Sequence, residues 1–292
     1  MDYALAKLFF SIVKSLPRDV SISLGESIGS LFWHAGYRKK VILKNLNIAF
    51  PEKSQEWKLE TGKLSLQNIG RTLTEFPRIP QYVRSGEIDR IFSIERGREL
   101  LHSEGGKILV TAHIGNWELG GAGLSRETGE IVSLAYRMKN KKMNSLITSI
   151  RQQAGMKIIF HDQPLKDFIK ALRAGKTIVF LADQNALRHR GVFVDFFGLE
   201  ASTVSFPAKL AVKYGVPVLF GYQYYHYETK TYRAVIQEIP PAEGQTQEEK
   251  IRNLVQKYTK MTEEAVRKHP DQYFWVHKRW KTRPEGQPEN IY

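Results

Sequence analysis

A histidine and a glutamate five positions apart are the residues of this sequence best suited to chemistry. His113 follows the apolar run 107–112, which predicts a buried strand, and Glu118 lies in a small-residue segment that predicts a helix start. On one continuous helix their side chains would point about 140° apart, so they can meet only if His113 lies on the turn before the helix. Glu118 would then fix the imidazole tautomer and leave the other nitrogen as a general base. Helix N-terminal amides nearby could also hold an anion or a developing oxyanion.

The chain offers this base no nucleophile of its own. It contains no cysteine, which excludes disulfides, thiolate catalysis and cysteine-ligated metal, and it contains no G-x-S-x-G motif. The nucleophile expected is therefore a hydroxyl of the substrate. A histidine near a glutamate is more often a surface or capping pair, but a position directly after a buried strand favours the catalytic interpretation.

Strand and helix patterns alternate after residue 107, which predicts an α/β fold with a mixed central sheet flanked by helices. The predicted strands are 107–112, 130–136, 156–160, 176–182, 216–224 and 231–238. The predicted helices are 117–125, 141–153, 164–173, 203–214 and 246–268. Before them, 56–76 predicts a long helix ended by prolines, 88–94 a short strand and 95–103 a short helix.

The first fifty residues carry helical amphipathic patterns with aromatics and a basic cluster, and they predict a membrane-associating region, 1–50. The alternatives are a helical hairpin packed on the core and an oligomer contact. No run approaches the roughly 18–20 apolar residues of a spanning helix, and no secretory signal is evident. The α/β domain is expected over 51–284, followed by a flexible tail, 285–292.

The overall charge points to an anionic partner. The formal net charge is +14, while the 25% of charged residues is ordinary for a globular protein. Such an excess suits nucleic acid, an anionic membrane or an acidic protein. Basic and aromatic residues are concentrated in 268–283, which fits either single-stranded nucleic acid or a lipid headgroup interface. Within that segment Lys278 and Arg279 are the candidates for contact with phosphate or an acidic partner.

Further candidate residues follow predicted strands and so belong to the same sheet edge as His113. Arg137 could bind a phosphate or thioester oxygen, although a surface role is the simpler interpretation. Asp183, followed by Gln184, could bond Arg137 or the substrate. No cluster has the spacing of metal ligands, so we expect neither a metal nor a cofactor. Ser202 and Thr203 predict a helix cap.

The motif HIGNWE at 113–118 resembles the lysophospholipid acyltransferase superfamily, and specifically its lipid A biosynthesis (lauroyl/myristoyl-type) branch. Many relatives carry aspartate where this chain has Glu118. The resemblance extends over nearly the whole chain through further blocks in the family's order, at 45–51, 136–137, 181–184, 191–198 with 201–203, and 272–284.

The resemblance implies acyl transfer from an acyl carrier protein thioester to a hydroxyl of a lipid A precursor. His113 would deprotonate the hydroxyl, Glu118 would orient His113, and Arg137 with the Gly115–Asn116 amides would stabilise the oxyanion or position the donor. Residues 201–203 resemble the block that binds the phosphorylated acceptor. The implied location is the cytoplasmic face of a bacterial inner membrane, peripheral or monotopic, with an anionic membrane surface and no nucleic acid as partner.

Two alternatives remain open. The same chemistry could use acyl-CoA and another glycolipid, such as a phosphatidylinositol mannoside. A non-catalytic membrane or nucleic-acid binding protein would explain the charge without using His113.

Overall fold

The computed structural model describes residues 3–288 and 291–292, so Met1, Asp2, Glu289 and Asn290 lie outside it. The first third of the chain is helical. Its elements are α1 (Tyr3–Ser15), α2 (Arg18–His34), α3 (Lys39–Ala49), α4 (Gln55–Glu75), a 3₁₀ turn (Phe76–Arg78), α5 (Ile79–Ser85) and α6 (Ile88–Ile91). The long helix α4 ends at Glu75, directly before Pro77, as the sequence predicts. Pro77 and Pro80 then lie in the first turns of the two elements that follow, where a missing N–H costs nothing.

The rest of the chain alternates strands and helices. The elements are β1 (Phe92–Arg96), α7 (Arg98–Leu101), β2 (Lys107–Thr111), α8 (Trp117–Thr128), β3 (Ile131–Ala135), α9 (Lys141–Gln153), β4 (Met156–Phe160), α10 (Leu165–Arg173), β5 (Thr177–Leu181), β6 (Gly191–Phe196), β7 (Leu199–Val204), α11 (Phe206–Tyr214), β8 (Val218–His226), β9 (Thr231–Glu238) and α12 (Gln247–Lys268). Short 3₁₀ turns lie at Arg188–Arg190 and Pro270–Gln272.

Seven strands form one mixed sheet in the order β1-β9-β8-β2-β5-β3-β4. All neighbouring pairs are parallel except β8 and β9, which form an antiparallel hairpin. Strand β2 is buried along its whole length, and apolar clusters cover both faces of the sheet. The predicted α/β class with a mixed central sheet flanked by helices is therefore confirmed.

The predicted elements around the sheet differ from the structure in two places. The strand expected at 88–94 is α6 followed by β1, and the helix expected from residue 203 begins only at Phe206. Ser202 and Thr203 lie in β7, the second strand of a separate hairpin with β6. That hairpin turns at Phe197 and Gly198, whose φ values of 58° and 77° are those of a two-residue hairpin turn. Phenylalanine rarely occupies such a position, so the sequence carried no usual turn signal.

The N-terminal helices pack on the domain and also expose apolar side chains. Helices α2 and α4 approach so closely that a Cβ on Gly25 would lie 2.5 Å from the Gly70 carbonyl oxygen. Large apolar side chains on α1 and α2 nevertheless remain in solvent, among them Leu5, Leu8 and Leu31, each at least 59% exposed. Within the described residues, no helix combines the length and the apolar character needed to cross a membrane.

The chain end was expected to be a flexible tail. Glu289 and Asn290 lie outside the described residues, but Ile291 and Tyr292 pack against the main apolar cluster. The Tyr292 hydroxyl also donates to the side-chain oxygen of Asn45 at 2.5 Å.

Candidate active site

His113 and Asp183 meet because they occupy equivalent positions after neighbouring parallel strands. Strands β2 and β5 pair with Thr111 opposite Leu181, and each site residue follows two positions later. The His113 Nδ1 atom lies 2.8 Å from the Asp183 Oδ1 atom. The His113 side chain is 15% exposed and that of Asp183 only 1%. The structure therefore joins a partly accessible imidazole to a buried carboxylate.

The environment keeps Asp183 ionised. Burial by itself would raise the pKa of this carboxyl, but the charge of His113 and the hydrogen bonds it receives outweigh that effect and leave the pKa below its usual value. An ionised Asp183 accepts the Nδ1 proton of His113. The Nε2 atom then carries the lone pair, which is the arrangement of a general base.

Glu118 does not make the expected contact with His113. Its two carboxylate oxygens accept from Arg151 on α9, at 2.6 and 2.9 Å, in a two-point ion pair. Glu118 lies in the first turn of α8, already past the point where the chain leaves His113, so its side chain is turned toward the neighbouring helix. Asp183 takes the orienting position that the sequence suggested for Glu118.

Hydrogen bonds from distant residues to backbone atoms hold the loop from His113 to Asn116 in place. Gly115 donates its N–H to the Gln272 carbonyl at 3.1 Å, and its carbonyl accepts from the Asn68 side chain at 2.9 Å. Its φ of 60° suits glycine, and a Cβ there would lie 2.6 Å from the Gln223 carbonyl oxygen. The Gly115 amide is thus already engaged and is not free for an oxyanion, contrary to the expectation.

Asn116 also serves the fold, because its side chain caps α8. Its side-chain oxygen accepts from the Leu119 N–H at 3.1 Å, which caps α8, and the residue is fully buried. The expectation that Asn116 binds substrate is not met by this geometry, because a buried cap cannot reach a ligand. The aromatic rings of Trp117 and Phe274 pack on the imidazole of His113, with ring centres 4.9 and 5.5 Å away, and restrict its rotation.

A cavity of about 810 Å³ opens beside His113 at the carboxyl ends of β3, β4 and β5. This volume is within the range of small-molecule sites. Gln184 lies in its wall, with its amide nitrogen 3.5 Å from His113 Nε2. The apolar part of the wall includes Leu134, Ile147, Phe160, Leu165, Phe168, Leu181 and Phe206. The basic part consists of Arg151, His161, His189, Arg190 and Lys209.

Arg151 lines the cavity, and Arg137 does not. Arg137 forms an exposed ion pair with Asp162 at 2.7 Å, and its guanidinium lies 4.0 Å from the centre of the Phe160 ring. The structure places Arg151, which the sequence analysis did not select, between Glu118 and the substrate space. No local pattern could have selected it, because its partner is 33 residues away and the contact depends on how α8 packs beside α9.

Three expected binding residues instead hold the β6–β7 hairpin. Arg279 is 2% exposed and donates to the Ser202 carbonyl at 2.8 Å and to the Thr203 hydroxyl at 2.5 Å. Ser202 and Thr203 are themselves buried. A guanidinium enclosed in this way cannot reach a membrane phosphate or an acidic protein, so those expectations are corrected. Lys278 remains half-buried, with its ammonium 5.4 Å from the centre of the Tyr292 ring.

A second histidine supports the loop that follows Asp183. The His277 Nε2 atom accepts from the backbone N–H of Asn185 at 3.0 Å, and the Asn185 side chain bonds Thr282. Burial lowers the pKa of His277 to about 4, so this imidazole is neutral at physiological pH and can act as an acceptor. His277 and Thr282 of the C-terminal segment thereby hold the loop that carries Gln184 in place.

These features define a class: an α/β protein with a histidine–aspartate pair beside a large, partly apolar cavity. Residues 2–282 match the family model described as bacterial lipid A biosynthesis acyltransferase. Because the match covers nearly the whole sequence, the chain belongs to the family of bacterial lipid A biosynthesis acyltransferases. It is an O-acyltransferase.

Individual relatives agree with this assignment. The chain is 25% identical over 281 residues to the lipid A biosynthesis lauroyltransferase of Escherichia coli (strain K12), covering 95% of this chain and 90% of that protein. It is 26% identical over 280 residues to the lipid A biosynthesis palmitoleoyltransferase of the same strain, covering 93% and 88%. A phosphatidylinositol mannoside acyltransferase of Mycobacterium tuberculosis (strain CDC 1551 / Oshkosh) is 27% identical over 163 residues, covering 53% of this chain and 51% of that enzyme.

Proposed function

We propose that this enzyme transfers a fatty acyl chain from an acyl carrier protein thioester to a hydroxyl of a lipid A precursor, with His113 as the general base. The observation that carries the proposal is the 2.8 Å contact of His113 with buried Asp183 at the wall of a cavity of about 810 Å³. A base with a fixed tautomer beside a space for an acyl chain suits transfer to a substrate hydroxyl.

The reaction proceeds by direct attack. Nε2 of His113 removes the proton of the acceptor hydroxyl as its oxygen attacks the thioester carbonyl carbon. The tetrahedral intermediate collapses with cleavage of the carbon–sulfur bond, and the imidazolium returns the proton to the departing thiolate. The products are the ester and the free thiol of the donor. Asp183 stabilises the imidazolium during the step, and no acyl-enzyme is formed.

Arg151 and Gln184 stabilise the developing oxyanion. Both line the cavity, and Gln184 lies beside the base. Glu118 holds the Arg151 guanidinium by two hydrogen bonds. The guanidinium is therefore fixed in place before negative charge develops on the oxygen of the tetrahedral intermediate. The role proposed for Glu118 is therefore to position Arg151 and no longer to orient His113.

The two parts of the cavity wall suit the two parts of the substrates. The apolar side chains, among them Phe168 and Phe206, would enclose the acyl chain. The exposed Arg190 and Lys209 would attract the phosphates of a carrier-bound thioester or of a glycolipid. The excess of positive charge would favour association with an acidic carrier protein.

The acceptor would be reached at a membrane surface. The exposed apolar side chains of α1 and α2 would insert at the interface, and the location proposed for the enzyme is the cytoplasmic face of the bacterial inner membrane, as a peripheral or monotopic protein. A second candidate function is acyl-CoA-dependent acylation of another glycolipid, such as a phosphatidylinositol mannoside. The partial similarity to the mycobacterial enzyme favours it.

The test is acyl transfer in detergent micelles, read by mass spectrometry. Wild type, His113→Ala and the control His102→Ala are each offered two donors, acyl carrier protein thioester and acyl-CoA, with a lipid A precursor or a phosphatidylinositol mannoside. His102 is a matched control because it is an exposed histidine paired with Glu127 at the surface. The proposal predicts a gain of one acyl chain on the lipid A precursor with the carrier thioester, lost in His113→Ala only. Transfer that is equal in all three proteins would contradict the role of His113.

A further inference from the structure

A second cleft, of about 200 Å³, lies between α1, α5 and α9, apart from the catalytic cavity. Its floor is apolar and includes the buried side chains of Phe10 and Ile150 together with Leu146. The rim carries three cationic side chains and three neutral polar ones. These rim residues are Lys7, Lys14, Arg84, Gln81, Ser149 and Gln153. We call this cleft the basic groove.

Among the described residues, the three cations of the basic groove have no acidic partner. None of Lys7, Lys14 and Arg84 forms an ion pair with any described residue, and no aspartate or glutamate is among the residues that line the groove. Three like charges around one cleft create a positive local potential that would attract an anion. The groove is therefore complementary to an anion.

Helix α1 presents its cations and its exposed apolar side chains on different sides. Lys7 and Lys14 lie on one side of this helix, seven positions apart, and the exposed Leu5, Leu8 and Ile12 lie about 140° around it. An occupant of the groove would thus meet positive charge at the rim and apolar side chains on the floor. A soluble anion uses only the first of these features, whereas a phospholipid uses both.

Helix α9 connects the groove to the active site. Leu146, Ile150 and Gln153 face the groove, while Ile147 and Arg151 line the catalytic cavity. The two helices run in the same direction, since the Lys142 ammonium lies 5.9 Å from the centre of the Tyr3 ring at their beginnings, and both line the groove toward their ends. A lipid held in the groove would lie one helix away from Arg151.

We propose that the basic groove binds the phosphate headgroup of an anionic membrane phospholipid, with the glycerol and proximal acyl carbons on its apolar floor. This inference deepens the membrane attachment that forms part of the proposed function, because it gives that attachment a defined lipid site. The volume of the groove suits a headgroup better than a protein helix, whose diameter is about 10 Å. The lipid would fix α1 against α9 and keep the catalytic cavity at the membrane surface.

The experiment measures binding of short-chain lipid monomers by calorimetry, without reference to acyl transfer. Dihexanoyl-phosphatidylglycerol, dihexanoyl-phosphatidylcholine and inorganic phosphate are titrated below micelle formation into the full chain. The groove variant is Lys7→Gln/Lys14→Gln/Arg84→Gln. The control variant, Lys250→Gln/Arg252→Gln/Lys268→Gln, removes the same charge from α12, which does not line the groove.

The expected result is saturable, one-to-one binding of the phosphatidylglycerol, weakened on the order of 100-fold in the groove variant and retained in the control, since each basic residue near an anionic lipid contributes about a factor of five. Equal weakening in both variants would show a general charge effect and overturn the proposal. Phosphate binding as tight as that of the lipid would show a site for a soluble anion, which also overturns it.

Acyl transfer in uncharged micelles separates this inference from the proposed function. We expect the groove variant to keep the wild-type kcat, because its residues do not line the catalytic cavity. If the variant instead raises KM for acyl carrier protein thioester while lipid binding is unchanged, the groove docks an acidic protein and the lipid proposal fails. If wild type binds lipid in the groove but transfers no acyl chain, the lipid site stands and the proposed reaction fails.

Discussion

At the scale of single residues, the site depends on two carboxylates with different tasks. Asp183 bonds the imidazole of His113, and Glu118 bonds the guanidinium of Arg151. Asp183 is buried beside the imidazole that would become positive in the proposed reaction. Glu118 neutralises a cation that faces the cavity. The spacing of His113 and Glu118 suggested a direct contact between them. In the structure the two residues lie near the start of one helix, and each contacts a different partner.

Replacement of Arg151 tests whether its guanidinium stabilises the oxyanion. Arg151→Gln removes the charge and the two-point contact to Glu118, and we expect kcat to fall about 100- to 1,000-fold, the typical effect of losing one oxyanion donor. Arg151→Lys keeps the charge but not the planar fork, so an intermediate loss is expected. Steady-state kinetics with a saturating donor measures both. As a control, Arg137→Gln should leave kcat nearly unchanged, and an equal loss there would count against the assignment of Arg151.

His277 makes stability depend on acidity. Its pKa is about 4 in the folded chain and 6.5 as the ordinary value, so the unfolded chain binds more protons between these pH values. Stability is therefore lost as pH falls from about 6.5 to 4, and the contribution of this residue to that loss is up to about 3 kcal/mol. The replacement His277→Asn should remove that part of the pH dependence. Urea unfolding at several pH values measures the free energy of unfolding of both proteins. If that free energy depends on pH equally in the two proteins, His277 is not the group responsible.

At the scale of elements, close approach of helix backbones fixes α2 on α4. A Cβ on Gly70 would lie 1.9 Å from the Gly25 carbonyl oxygen, so Gly70→Ala must push the helices apart. We expect a loss of about 2 kcal/mol or more in the free energy of unfolding, although alanine favours a helix. Ser23→Ala, on the exposed side of α2, should change stability by less than about 0.5 kcal/mol. Denaturant unfolding compares the two, and equal stability would show that the contact can relax.

The main sheet could be predicted because its buried strands are short apolar runs separated by helical patterns, as 107–112 and 176–182 illustrate. The partner of His113 could not, because sequence places two strand ends on one edge without saying which strands are neighbours. Pairing of β2 with β5 decides that Asp183 is the contact. The β6–β7 hairpin was missed because Phe197 supplies a turn conformation usually left to asparagine or glycine.

The C-terminal segment illustrates the limit of composition as a guide. Its mixture of cations and aromatic residues suggested a surface that meets headgroups. In the structure Trp275 and Trp280 are buried at 1% and 0% exposure, and Arg279 holds a hairpin. The same residue types serve an interface or a core, and only their burial distinguishes the two. The segment contributes to the site by clasping the loops around His113 and Asn185.

In the whole molecule, the exposed apolar side chains of α1 are the proposed contact with the membrane. Leu5, Leu8 and Ile12 of α1 are each at least 48% exposed. The triple replacement of these residues by glutamine should lower partitioning onto vesicles roughly 100-fold, since each apolar side chain loses part of its burial in the interface. Activity on substrates in micelles should persist. Ser11→Gln on the same helix is the control, and unchanged partitioning of the triple variant would place the membrane contact elsewhere.

The proposed reaction requires His113 as the base and Asp183 as its orienting partner. The most direct measurement is single-turnover acyl transfer from a preloaded carrier thioester by wild type, Asp183→Asn and Glu118→Gln. We expect Asp183→Asn to slow the chemical step about 10,000-fold, as loss of the correct tautomer does in other imidazole bases. Glu118→Gln should slow it less, because Arg151 keeps its charge. If Glu118→Gln abolishes the chemical step while Asp183→Asn leaves it near the wild-type rate, Asp183 does not orient the base. That result would contradict the proposed roles of both carboxylates.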